Sequence, residues 1–262
     1  MNSGYPKFIA IAILSLTGLC VVLLAVSALA NQTLPTRSDS VEVLSTADKA
    51  RLAETRHLLR ELGGEVWPGW GDVDFPMIVY NEEYAFLVGY PNPPEGWFKV
   101  PAGHRRGIAW EPVPNDTVMG ETYYRQRLSD VTPEAFTVMV GEQWVCSIPT
   151  FDWMKIGLAQ NIRADLPSFL QPVFPYRIFI RQLVSGDDQY ISLNLHECFH
   201  AYQGFLAEEK LAAAENANAR PESNYPRENE DLQADWQTEW ELLARALLTT
   251  VPAQSLDVAR LL

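Results

Sequence analysis

The spacing of apolar residues changes character several times along the 262-residue chain. Residues 8–30 are almost wholly apolar, behind Lys7 and ahead of the polar Asn31-Gln32-Thr33. About 20 such residues suffice to cross a bilayer, and the run also closes on Ala28-Leu29-Ala30, a pattern that signal peptidases accept. Residues 1–30 are therefore read as a signal peptide or a membrane anchor, with the remainder outside the cytoplasm. Residues 31–46 are polar and read as a tether. Over residues 47–62, Leu52, Leu58, Leu59 and Leu62 recur at helical spacing, with Ser45 or Thr46 as cap and Gly63-Gly64 as the stop.

From residue 65 to 146 the pattern turns to short β-branched and aromatic runs punctuated by Gly and Pro. Candidate strands are 75–80, 84–89, 97–100, 107–110 and 137–146, with Asn81-Glu82-Glu83 as a hairpin loop. The rings of Trp67-Pro68-Gly69-Trp70 are expected to cover one end of the sheet. Val138, Val140 and Val145 make 137–146 a strand able to lie beside a cleft and pair with an extended backbone. A short helix is expected at 152–160, then a Pro-broken connection, and an apolar run at 176–180 that suits either strand or helix approach.

Ile191, Leu195, Cys198, Tyr202 and Phe205 then form a helical stripe that begins near Asp187 or Asp188. Residues 212–227 lack apolar periodicity and read as a surface loop or lid. A last helix, 228–249, has Leu232, Trp236, Leu243, Ala246 and Leu247 on its buried face. The end of the chain carries no stop signal, which leaves a truncated C-terminus open. The fold class is α+β: an antiparallel or mixed sheet upstream, then two helices, in one domain over residues 47–262.

A formal net charge of −13 and a pI near 4.7 exclude nucleic acid as a partner, since phosphates need a basic surface. Beyond residue 30 the cysteines are Cys146 and Cys198. Either they form a disulfide that staples the helix to a neighbouring strand, or they are two buried thiols.

On the first of these two helices, residues 195–203 contain His196-Glu197-Cys198-Phe199-His200, the pattern H-E-x-x-H. Residues four apart share a helical face, so both imidazoles can address one tetrahedral zinc ion while Glu197 takes a proton from zinc-bound water. The plainer reading is two ordinary helical histidines. A third ligand is required. Gln203 and Leu206 stand where a metzincin needs Gly and His, and no His follows His200, so a downstream carboxylate is expected. Glu239 lies within the apolar stripe of the last helix, where a carboxylate needs a cation; Glu241 and Asp235 are the alternatives.

These residues resemble the gluzincin branch of zinc metallopeptidases, whose thermolysin-like members carry H-E-x-x-H on one helix and a ligand Glu on a following one. The resemblance covers about 187–248. It implies a zincin-like fold, Zn2+ held by His196, His200 and Glu239, Glu197 as general base, and a peptide or protein substrate. Two alternatives are a non-catalytic, envelope-anchored metal-binding scaffold and a zinc amidohydrolase acting on a non-peptide amide.

Overall fold

The computed structural model describes residues 5–100, 103–128, 133, 138–218, 233–234, 237–238 and 241. The chain divides into a unit Met1–Glu215 and a second unit Asn216–Leu262. In the second, Gln233, Ala234, Gln237, Thr238 and Glu241 are helical and exposed, and the rest of the helix expected at 228–249 lies outside the described residues.

The first unit opens with α1 (Tyr5–Asn31), whose stretch Ala10–Asn31 has a mean hydropathy of 2.5. At 1.5 Å per residue that stretch extends about 33 Å, enough for a hydrocarbon core of about 30 Å. Residues 32–45 have no regular secondary structure, yet they lie against the domain rather than swinging free. The Ser38 backbone N–H and hydroxyl donate to the Glu82 carboxylate at 2.8 and 2.6 Å, Asn81 donates to the Val41 carbonyl at 2.8 Å, and Leu44 is buried. Helix α2 (Thr46–Val66) follows, with Ser45 Oγ accepting the Asp48 N–H at 3.0 Å as its cap. Leu52 and Leu59 are its buried apolar anchors.

Among the described residues eight strands form one curled sheet. They are β1 (Met77–Tyr80), β2 (Tyr84–Val88), β3 (Trp97–Lys99), β4 (Arg105–Arg106), β5 (Glu111–Pro112), β6 (Tyr124–Arg127), β7 (Val138–Val140) and β8 (Gln143–Pro149). The order is β4-β3-β7-β8-β1-β2-β6-β5, antiparallel throughout except for the parallel pair β1–β8. The expected strand at 137–146 is instead a hairpin. Gly141, at φ 58°, opens its two-residue turn, a backbone conformation that a side chain disfavours. Residues 107–110 form no strand; Ile108 N–H donates to the Gln126 side chain at 2.7 Å rather than to a ladder.

Both faces of the central strands are buried, so period-two alternation sorts residues between two cores. Met77, Val79, Phe86 and Val88 face a core completed by α2 and later helices. Ile78, Leu87, Val138, Val140 and Val145 face Trp97 and Trp110 inside the curl.

Three helices follow the sheet: α3 (Phe151–Asp165), α4 (Tyr176–Leu183) and α5 (Asp187–Asn218). The run at 176–180 is therefore helix. Helix α5 breaks its backbone at Ala207 (φ −149°, ψ 54°) and continues through 212–218, where a loop was expected; 219–227 lie outside the described residues.

Two contacts clamp α5 to β8. Cys146 and Cys198 form a disulfide with Cα atoms 4.8 Å apart. One turn and a half further along, Gly204 lies so close to the Trp144 ring that a Cβ there would sit 2.5 Å from it. The Trp67-to-Trp70 turn packs on this helix, with Trp70 in the core cluster it shares with the sheet: Trp70 meets Phe199 edge-on at 5.0 Å, and Tyr202 donates to the Pro68 carbonyl at 2.8 Å.

Both contacts can be tested by thermal unfolding followed by near-ultraviolet circular dichroism. Closing a span of 52 residues, the disulfide should contribute about 4 kcal/mol in the chain-entropy account, so Cys198→Ser should lower the midpoint markedly. Gly204→Ala should cost about 1–3 kcal/mol as an overpacked contact. Midpoints unchanged in either variant would mean that the clamp does not hold the helix.

Candidate functional site

Helix α5 buries Tyr190, Asn194, Cys198, Ala201 and Tyr202 on one side. His196 lies on the opposite, solvent-facing side, with His200 half-buried beside it. Their Nε2 atoms are 3.0 Å apart and the rings meet edge-to-face at 4.6 Å. His200 Nδ1 lies 2.9 Å from Gln203 Oε1. Glu197 turns the other way and is only 5% exposed. His196 also borders an apolar cavity of about 560 Å³ with Met154, Leu158, Leu183 and Leu193.

Among the described residues no group of three or more His, Cys, Asp or Glu side chains could hold a metal ion. That finding corrects the zinc reading. The gluzincin resemblance and its zincin-like label, Zn2+ as cofactor, metallopeptidase chemistry on a peptide substrate, and both zinc-based alternatives all require such a group. The geometry gives the reason: Cys198 is bonded to Cys146, Glu197 turns into the protein, and no third side chain of these types joins the histidine pair within the described residues. Glu239 and Asp235 lie outside those residues. Glu241 is exposed and accepts from Gln237 Nε2 at 3.5 Å.

No protein-family model, curated protein or solved structure matches the chain.

A second cavity, of about 500 Å³, lies where α3, α4 and residues 34–39 meet. Phe151, Ile156, Ala159, Ile180 and Val184 give it apolar walls. Its rim carries the cations Arg37, Lys155, Arg177 and Arg181 against the carboxylates Asp39 and Asp152. Arg37 is paired with Glu83 at 2.5 Å, and Lys155 with Asp152 at 2.9 Å. Arg177 donates to the Thr33 carbonyl and hydroxyl, both at 2.8 Å. Neither Arg177 nor Arg181 has a carboxylate within ion-pair distance among the described residues.

Sequence reading missed this cavity because its rim residues are scattered from 37 to 181. The local signal was Arg177 and Arg181 four apart, inside a stretch, 166–186, that contains no acidic residue in a strongly acidic chain.

His196 is held below the usual histidine range, first by loss of surrounding water and then by its neighbour His200. Folded His196 thus binds its proton more weakly than in the unfolded chain. Its contribution is full above the unfolded value of about 6.5 and is lost as pH falls through the lowered folded value. Thermal midpoints taken from about pH 7.5 to 5 should therefore drop more in the wild type than in His196→Gln. Parallel curves would show that this ring does not couple to folding.

Proposed function

We propose that this chain is a single-pass membrane protein whose extracytoplasmic domain binds an anionic amphiphile, a small molecule with an apolar body and an acidic head. The observation that carries the proposal is the cavity at the foot of the domain, where apolar walls meet a rim whose Arg177 and Arg181 lack carboxylate partners among the described residues. Such a site takes up a hydrocarbon body and satisfies one charged head by charge-assisted hydrogen bonds, worth roughly 1.5–3 kcal/mol each.

Three features support the compartment. Helix α1 has the length and hydropathy of a span. Lys7 is the only charged side chain before Arg37 and stands directly ahead of the apolar run, where an export segment carries its positive charge. The Cys146–Cys198 disulfide belongs to an oxidising compartment. Retention of α1 as an anchor is supported by its last residue: Asn31 Nδ2 donates to the Pro172 and Phe174 carbonyls at 3.0 and 2.8 Å, fixing the helix end to the domain.

Calorimetric titration of the full chain in nanodiscs with hexyl phosphate tests the site, with hexanol and inorganic phosphate as half-ligands. Saturable binding of hexyl phosphate, tighter than either half, is expected. Arg181→Glu should weaken it by at least about tenfold, the equivalent of ~1.4 kcal/mol, and Ala159→Trp should block it. Equal isotherms for wild type and both variants would sink the proposal.

A further inference from the structure

The strongest unexplained surface of the first unit lies beside the end of α1. The connection between α3 and α4, together with α4 itself, exposes Phe169 (74%), Ile178 (58%), Phe179 (42%) and Leu170 (37%). Large apolar groups gathered in this way on a soluble surface mark an interaction site.

We propose that this foot rests in the outer leaflet of the same bilayer that α1 crosses, seating the domain on the membrane. The inference rests on α1 being a span; the exposed apolar side chains that carry it line none of the cavity, although Arg177 and Arg181 serve both.

Position selects the bilayer as occupant. Asn31, the last residue of α1, bonds to the carbonyls of Pro172 and Phe174, so the backbone that displays Phe169 and Leu170 is tied to the point where the helix leaves the hydrocarbon. Thr33, two residues on, accepts from Arg177 at the start of α4. An apolar surface fixed at that level meets the boundary between headgroups and acyl chains, where amphipathic helices bury one face.

Charge points the same way. Residues 166–186 contain Arg177 and Arg181 and no acidic residue, although the whole chain carries a net charge of −13. Anionic lipid repels an acidic domain least where its cations gather, and at this rim Arg37, Lys155, Arg177 and Arg181 outnumber Asp39 and Asp152, so guanidinium groups reach phosphates while the rings enter the leaflet.

The test places a benzophenone amino acid, one position at a time, at Phe169, Ile178, Leu16 or Ile108 in the full chain. Nanodiscs contain phosphatidylcholine and phosphatidylglycerol, and lipid adducts are counted by mass spectrometry after irradiation. Leu16 lies within α1, and Ile108, 50% exposed on the strand-rich part of the domain, serves as the apolar reference. Adducts at Leu16, Phe169 and Ile178, several-fold above Ile108, are expected. Adducts at Leu16 with Phe169 and Ile178 no higher than Ile108 would overturn the seat and leave the anchor standing. No adduct at Leu16 would overturn the span and the seat with it.

Discussion

The contact between α5 and β8 is the constraint on which the rest of the first unit depends. Strand β8 lies at the centre of the sheet, between β7 and β1, and its alternate residues feed both cores. Against it α5 is fixed covalently at Cys198 and by close packing at Gly204. The same helix carries Phe199 and Tyr202, which receive the Trp67-to-Trp70 turn and with it the end of α2. The face presented outward, with His196 and His200, is what remains once that inner face is committed.

Much of the architecture was legible because its helices carry periodic apolar stripes and its central strands are continuous apolar runs between turn residues. Helix α2 and strands β1 to β3 fall within a few residues of the runs that predicted them, and α5 begins where its stripe does but continues seven residues into the expected loop. Strand β6 was not legible. Its sequence, Tyr124-Arg125-Gln126-Arg127, has no apolar alternation; Arg125 and Arg127 instead lie over the Tyr84 ring at 5.0 and 5.6 Å. The turn at Gly141 hid inside a run of valines that alternates well enough to pass for a single strand.

The site was less legible than the fold. Spacing shows that His196 and His200 share a helix face, and their Nε2 atoms do lie 3.0 Å apart. Spacing says nothing of what else gathers beside them, and within the described residues no metal-holding group does. Motif matching thus supplied two side chains and left the coordination sphere to assumption. The cavity between α3 and α4 posed the opposite difficulty, since its walls and rim come from segments over a hundred residues apart and no local pattern announces them.

The parallel pairing of β1 with β8 bears on how the protein is made. β1 is complete at residue 80, yet its partner is not synthesised until residues 143–149, and the cystine that secures β8 waits for residue 198. Contacts this far apart close late because the intervening chain must first be ordered. A nascent chain threaded through a translocation channel behind α1 therefore cannot complete its central sheet until more than half of the chain has emerged. In a chain exported as proposed above, the same topology would keep the sheet open throughout passage.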